Sequence, residues 1–158
     1  SKQEILEEIT SRGFEELRTR AMAVIAENGT GTLAAIVAMG QAYVAFAISE
    51  TAVFRLMFGQ EPSLKKSENV AGTGHECFSQ LIEQISIYCQ KNRIEGDALE
   101  IGLRLWTFVH GAASLVIDKD YLQIAPQLNV NCLIANAAPG LLACSPPQRK
   151  PANRKASK

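Results

Sequence analysis

The sequence holds two histidines, and one of them, His110, follows the single tryptophan, Trp106, by four residues in the stretch LRLWTFVHGAASLVID. On a helix that spacing puts both rings on one face. Ser114 stands one turn further on and Asp118 another, a serine, histidine and aspartate row of the kind that acyl transfer uses. The row shares its stripe with residues that must pack, and no glycine-rich elbow or oxyanion loop accompanies it. The chain is therefore read as no enzyme. A buried neutral imidazole still needs a hydrogen-bond partner, which a backbone carbonyl, a neighbouring side chain or a ligand can supply. His75 and Cys77 lie two residues apart, pointing to different faces of a helix, with no second ligand pair. Neither a metal nor a cofactor is expected.

The four cysteines, Cys77, Cys89, Cys132 and Cys144, show no zinc spacing. Twelve residues of helix separate the first two by ~18 Å, beyond disulfide reach. Free thiols in a reducing cytoplasm are the plain reading, and no secretory signal is expected. Lysine plus arginine, 16, balances aspartate plus glutamate, 16. The balance hides an asymmetry. Residues 146–158 hold five bases and no acid, which leaves the rest with 11 bases against 16 acids. An acidic body argues against nucleic-acid binding by the folded part itself.

The elements that must position these residues are helical. Residues 2–27 carry Ile5, Ile9, Leu17, Ala21 and Val24 on an apolar stripe that also contains Gly13, and Asn28-Gly29 is a stop signal. Thr30 or Thr32 caps a second helix through about Ser49. No charge occurs between Asn28 and Ser49, but the apolar run is shorter than the ~20 residues of a membrane span, so a buried central helix is expected and no membrane. Ala52 to Phe58 makes a short third helix. Residues 60–72 read as a loop, with helix onset near Ser67 as an alternative, Thr73 and Glu76 as a capping box, and the helix behind them runs to about Asn92. Asp97 and Glu100 resemble a second capping box for the next helix, which runs through about Ile117. Asp118 to Tyr121 is a break, and Pro126 starts a last helix to about Ala138, which Pro139-Gly140 stops or interrupts. Residues 1–142 are expected to form one all-α domain, with 143–158 a disordered basic tail.

The helix 98–117 is apolar nearly all round. Leu99, Leu103, Trp106, His110 and Ala113 share one side; Ile101, Leu105, Phe108, Ala112 and Leu115 cover much of the rest. Such a helix must be buried on several sides, and a second copy would cover what one small bundle leaves open. With Leu128, Cys132 and Ala135 of the last helix, these residues predict a twofold dimer through a four-helix bundle.

Three segments then resemble the C-terminal regulatory domain of the tetracycline-repressor (TetR) family. The opening SKQEILEEITSRGFEEL resembles the end of the family's H-F-x-S-K-x-x-L-L phrase, with Ser1-Lys2 as its last polar letters. QAYVAFAISETAVFRLMFG is similar to Y-V-x-F-A-x-x-x-P-x-L-F-x-L-M-F, with Thr51 in place of the proline, so that the break between the second and third helices is expected to be less sharp. Trp106, His110 and Gly111 resemble the W-x-x-x-H-G signature of one branch.

The resemblance implies a bundle of about six helices that forms a homodimer and holds a small lipophilic effector. It implies a cavity among Phe46, Phe54, Met57, Phe58, Phe78, Leu81, Leu103 and Trp106, with Gln41, Tyr43 and His110 as polar handles. It also implies a DNA-binding head before Ser1, through which alone operator DNA would be bound, and gives Lys2 a phosphate contact in the full-length protein. A ligand-free dimerising adaptor is the alternative, distinguished by a filled interior.

Overall fold

The computed structural model describes residues 1–143. Among them are α1 (Lys2–Asn28), α2 (Leu33–Ser49), α3 (Thr51–Met57), α4 (Pro62–Lys65), α5 (Glu68–Asn92), α6 (Ala98–Ile117), α7 (Asp120–Ile124) and α8 (Val130–Leu142), and no strand. The fold is an all-α bundle. The short α4 and α7 occupy what reads in the sequence as a loop and a break. The basic tail lies, beyond Ala143, outside the described residues.

Ser1 and Glu4 form a capping box at the start of α1. Gly13 lets α1 press on α3, since a Cβ there would meet Met57 Sδ at 2.6 Å and Val53 Cγ1 at 2.7 Å. Thr32 caps α2, its hydroxyl accepting from Ala35 N at 3.0 Å. α2 is central, packed against α1, α3, α5, α6 and α8, which explains why it carries no charge. No single described helix is long and apolar enough to cross a membrane; α2 and α3 together reach that length and composition but bend by 109°.

That bend corrects the expected soft break between α2 and α3. Thr51 substitutes for a proline by chemistry: its hydroxyl donates to the Ala47 and Ile48 carbonyls at 2.8 and 3.1 Å, satisfying the end of α2 that would otherwise lack partners. The box at Thr73 is also corrected. α5 begins earlier, with Ser67 as its cap, and the Thr73 hydroxyl donates back to Asn69 and Val70 carbonyls. Burial of Val70 and Leu64 against the main core gives these first turns something to pack on. At the other end, α8 starts at Val130, capped by the Asn129 side chain, and not at Pro126. It runs through Pro139 because Leu142, 1 % exposed, packs with Ile36, Ile85, Ile101 and Leu105.

The face assignment of α6 is corrected too. Ile101, Leu105 and Ala112, expected to face a partner, are 1, 6 and 3 % exposed within this single chain, buried by α2, α5 and α8. Phe108 is half-buried against the main core. The outward row is instead Leu99, Leu103, Thr107 and Leu115, spaced by four and eight residues and all exposed. On α8 and the turn before it, Leu128 and Cys132 are exposed and Ala135 is half-buried.

Candidate functional site

A cavity of about 350 Å³ opens between α1, α2, α5 and α6, with Phe58 from the end of α3 in its wall. α1 contributes Phe14, Leu17 and Ala21, one stripe at helical spacing. α2 contributes Met39, Gly40, Ala42 and Tyr43, α5 contributes Gly74, Cys77, Phe78 and Leu81, and α6 contributes Leu105, Trp106 and Val109. Ala21 and Ala42 put only a methyl into this wall, while Gly40 lets Val109 and Ile134 approach, a Cβ there standing 3.1 Å from each, and Gly74 lets the Phe14 ring come within 3.3 Å of where a Cβ would be. No lysine, arginine, histidine or carboxylate lines the cavity.

One polar chain interrupts this wall. The Trp106 Nε1–H donates to the Tyr43 hydroxyl at 3.2 Å, and that hydroxyl lies 2.8 Å from His110 Nδ1. His110 sits behind Tyr43, away from the cavity itself. Phe54 stacks on its ring with centroids 5.5 Å apart, and Phe58 meets it edge-on at 4.9 Å. The histidine thus has a side-chain partner inside an aromatic box.

Burial sets the protonation of the site. It lowers the His110 pKa, favouring the neutral ring. It raises Tyr43 well above the ordinary phenol value, against the opposing hydrogen bond from Trp106. The Cys77 thiol is pushed up to about 11 by burial, which outweighs the nearby Arg18 charge. Arg18 itself reaches across from α1 to Glu76 on α5 at 3.6 Å. All three groups are therefore neutral at pH 7.

Of the residues singled out in the sequence, Tyr43, Phe58, Phe78, Leu81 and Trp106 are at the cavity wall. His110 is one layer behind. Phe46, Phe54 and Met57 are core residues, and Arg20 lies over the Phe46 ring at 5.2 Å. Gln41 points to α8, where its Nε2 donates to the Asn131 carbonyl at 3.1 Å. Leu103 is 44 % exposed on the outer row, not in the cavity. Not singled out as site residues in the sequence are Phe14, Leu17 and Ala21 of α1, the small residues, Met39, Cys77 and Val109. Leu105, expected on a partner-facing side, is also at the wall. Leu17 and Ala21 are legible as apolar α1 positions, but Phe14 is not on that stripe, and its Ile5 and Ile9 are 61 and 39 % exposed.

The serine, histidine and aspartate row does not assemble. Tyr43 occupies His110 Nδ1, and Asp118 accepts from Arg55 Nη2 at 2.5 Å. His75 is exposed, and no group of three metal-capable side chains occurs among the described residues. Lys2 is exposed in the first turn of α1.

Residues 36–130 match the family described as "Tetracyclin repressor-like, C-terminal domain". No curated protein matches the sequence significantly. Among solved structures, one described as that of a protein with unknown function from Rhodococcus sp. RHA1 superposes with a TM-score of 0.77 at 20% identity, over 90% of this chain and 72% of that one. At that identity the likeness shows the fold alone. The family match, covering more than half of the chain, most of α2 and all of α3 through α7, carries the assignment: this chain belongs to the tetracycline-repressor-like C-terminal domain family.

Proposed function

We propose that the chain is the regulatory domain of a tetracycline-repressor-type regulator of the W-x-x-x-H-G branch, in which residues 1–142 hold a small lipophilic effector and form a homodimer. The effector occupies the cavity between α1, α2, α5 and α6, and changes the operator affinity of helix-turn-helix heads joined through α1. Lys2 then lies where α1 meets the head and touches a phosphate. The domain acts in the cytoplasm and catalyses nothing. The observation that carries this reading is the hollow itself: an apolar cavity of about 350 Å³ lies within the range of small-molecule sites, whereas an adaptor held together only by packing has no use for one.

The dimer seam is revised from the sequence expectation. Leu99, Leu103 and Leu115 of α6, Leu128 just before α8 and Cys132 on it are exposed, and Gly111 has open space around it. Two such faces meeting about a twofold axis make the four-helix bundle. An effector shifts operator affinity only as far as it binds two arrangements unequally, typically ~1–3 kcal/mol. To test the reading, the chain is joined to its head, and operator affinity is measured with and without lipophilic ligands that quench Trp106. Release of operator by a bound ligand is expected. A ligand that fills the cavity and leaves operator affinity unchanged would remove the regulatory role.

A further inference from the structure

The cavity has one strong polar point, and its hydrogens can be counted. An indole N–H only donates, so the Tyr43 oxygen accepts from Trp106 at 3.2 Å. His110 Nδ1, 2.8 Å away, either accepts the single Tyr43 proton or donates its own to the phenolic oxygen. In the first arrangement His110 carries its proton on Nε2, the tyrosine proton is committed, and an empty cavity contains no idle donor from this network. In the second, Trp106 and His110 both donate to the Tyr43 oxygen, and the tyrosine proton is free to turn toward the cavity that Tyr43 lines.

Resting on the effector-site reading above, we propose that the cavity takes an uncharged, mainly hydrocarbon molecule bearing one carbonyl-type acceptor, to which Tyr43 donates while His110 exchanges tautomer behind it. The exchange is balanced: water takes the proton from Nε2 and supplies one to Nδ1, so the ring stays neutral, Tyr43 keeps its proton and no net proton is gained or lost. His110 is only half-buried, which keeps this exchange with solvent open.

The polarity follows from what each ligand group leaves unmet. A carbonyl has acceptors only, so one donor satisfies it. A ligand hydroxyl donating to Tyr43 would keep its own lone pairs in an apolar wall, which is costly. The other polar side chain there, Cys77, offers a weak S–H donor. A carboxylate or ammonium finds no opposite charge in the wall, and burying an unpaired charge is costlier still. Burial that holds Tyr43 and Cys77 neutral supports the same exclusion.

Three probes of similar length test this on the whole chain: 2-undecanone, hexylbenzene and decanoate, with fluorescence of the single tryptophan, Trp106, as the binding signal. Nitrogen-15 NMR of the histidine rings reads the tautomer. We expect the ketone and the hydrocarbon to bind and decanoate to bind at least about tenfold more weakly. Tyr43→Phe weakens the ketone roughly 3- to 10-fold and leaves hexylbenzene within about twofold. On the unaltered protein the ketone, but not hexylbenzene, moves the His110 proton from Nε2 to Nδ1. Equal effects of Tyr43→Phe on both probes, an unchanged tautomer with ketone bound, or decanoate binding as well as the ketone each overturn the proposal while the effector site stands. If no probe binds, the effector site itself falls. Should Tyr43→Phe fold poorly, the NMR result on the unaltered protein decides alone.

Discussion

Gly31 lies so close to Ile87 that a Cβ on it would stand 2.3 Å from Ile87 Cγ2 and 2.7 Å from Ile87 Cβ. Its φ of 64° is left-handed, and its N–H donates to the buried Gln84 Oε1 at 2.7 Å. The turn between α1 and α2 is thereby fixed on α5, and with it three of the helices that enclose the cavity. Gly31→Ala should combine a left-handed non-glycine backbone with overpacking against a stiff branched side chain, and cost about 2–4 kcal/mol in urea unfolding. Gly72, inside α5 with nothing within 4 Å of a Cβ, serves as the contrast. Gly72→Ala should stabilise by about 0.5–1 kcal/mol. Equal stability of the Gly31 variant and the parent would show the turn to be looser than described.

The lowered pKa of His110 makes stability depend on pH. Its folded value is below the unfolded 6.5 because burial disfavours the charged ring. At falling pH the unfolded chain takes up the proton first, so this contribution is complete above pH 6.5 and is lost as pH drops through that value and on through the folded pKa. Denaturant midpoints measured from pH 7.5 to 5 should therefore fall for the parent more steeply than for His110→Asn. Parallel curves for the two proteins would place the slope elsewhere.

α8 is held at its far end by Leu142. Leu142→Ala removes a side chain 1 % exposed from the cluster of Ile36, Ile85, Ile101 and Leu105, and should cost about 2–4 kcal/mol. Pro139 breaks the helical hydrogen-bond ladder on the exposed side of the same helix. Pro139→Ala should gain roughly 1–3 kcal/mol. Calorimetric melts of both variants check the pair; a neutral Leu142→Ala would mean that α8 is not anchored there.

The outer row of α6 predicts oligomeric state. On the proposed seam, Leu103→Glu with Leu115→Glu, both at exposed positions, should leave helicity unchanged in circular dichroism and convert the proposed dimer to a monomer by light scattering. A dimer that survives both charges would have its seam on another face.

Much of the fold was legible because it follows from local rules. The uncharged run of α2 has to be buried, the Asn28-Gly29 stop and the Asp97 cap are where backbone chemistry places them, and Trp106 and His110 share a face by helical geometry alone. Local rules misled where burial decided the outcome. Val70 and Leu64 extended order upstream of Thr73, and Leu142 drew α8 past a proline. The candidate site was half legible: Tyr43, Phe78, Leu81 and Trp106 stood out as large apolar or amphipathic residues, while Ala21, Gly40 and Gly74 carry no chemical mark of their place in the wall.

The sequence by itself determined that this chain is helical, where its long helices run to within a few residues at most ends, and that α6 must be covered on most of its sides. Only the tertiary structure decided which side meets what. A helix apolar all round has no preferred rotation until its neighbours are in place, so Leu105 could be given to a partner on the wheel and yet be found at the cavity, with Leu103 the reverse. The partner of His110 was also beyond the sequence. Tyr43 is 67 positions away along the chain, and only the crossing of α2 with α6 brings its hydroxyl to the imidazole.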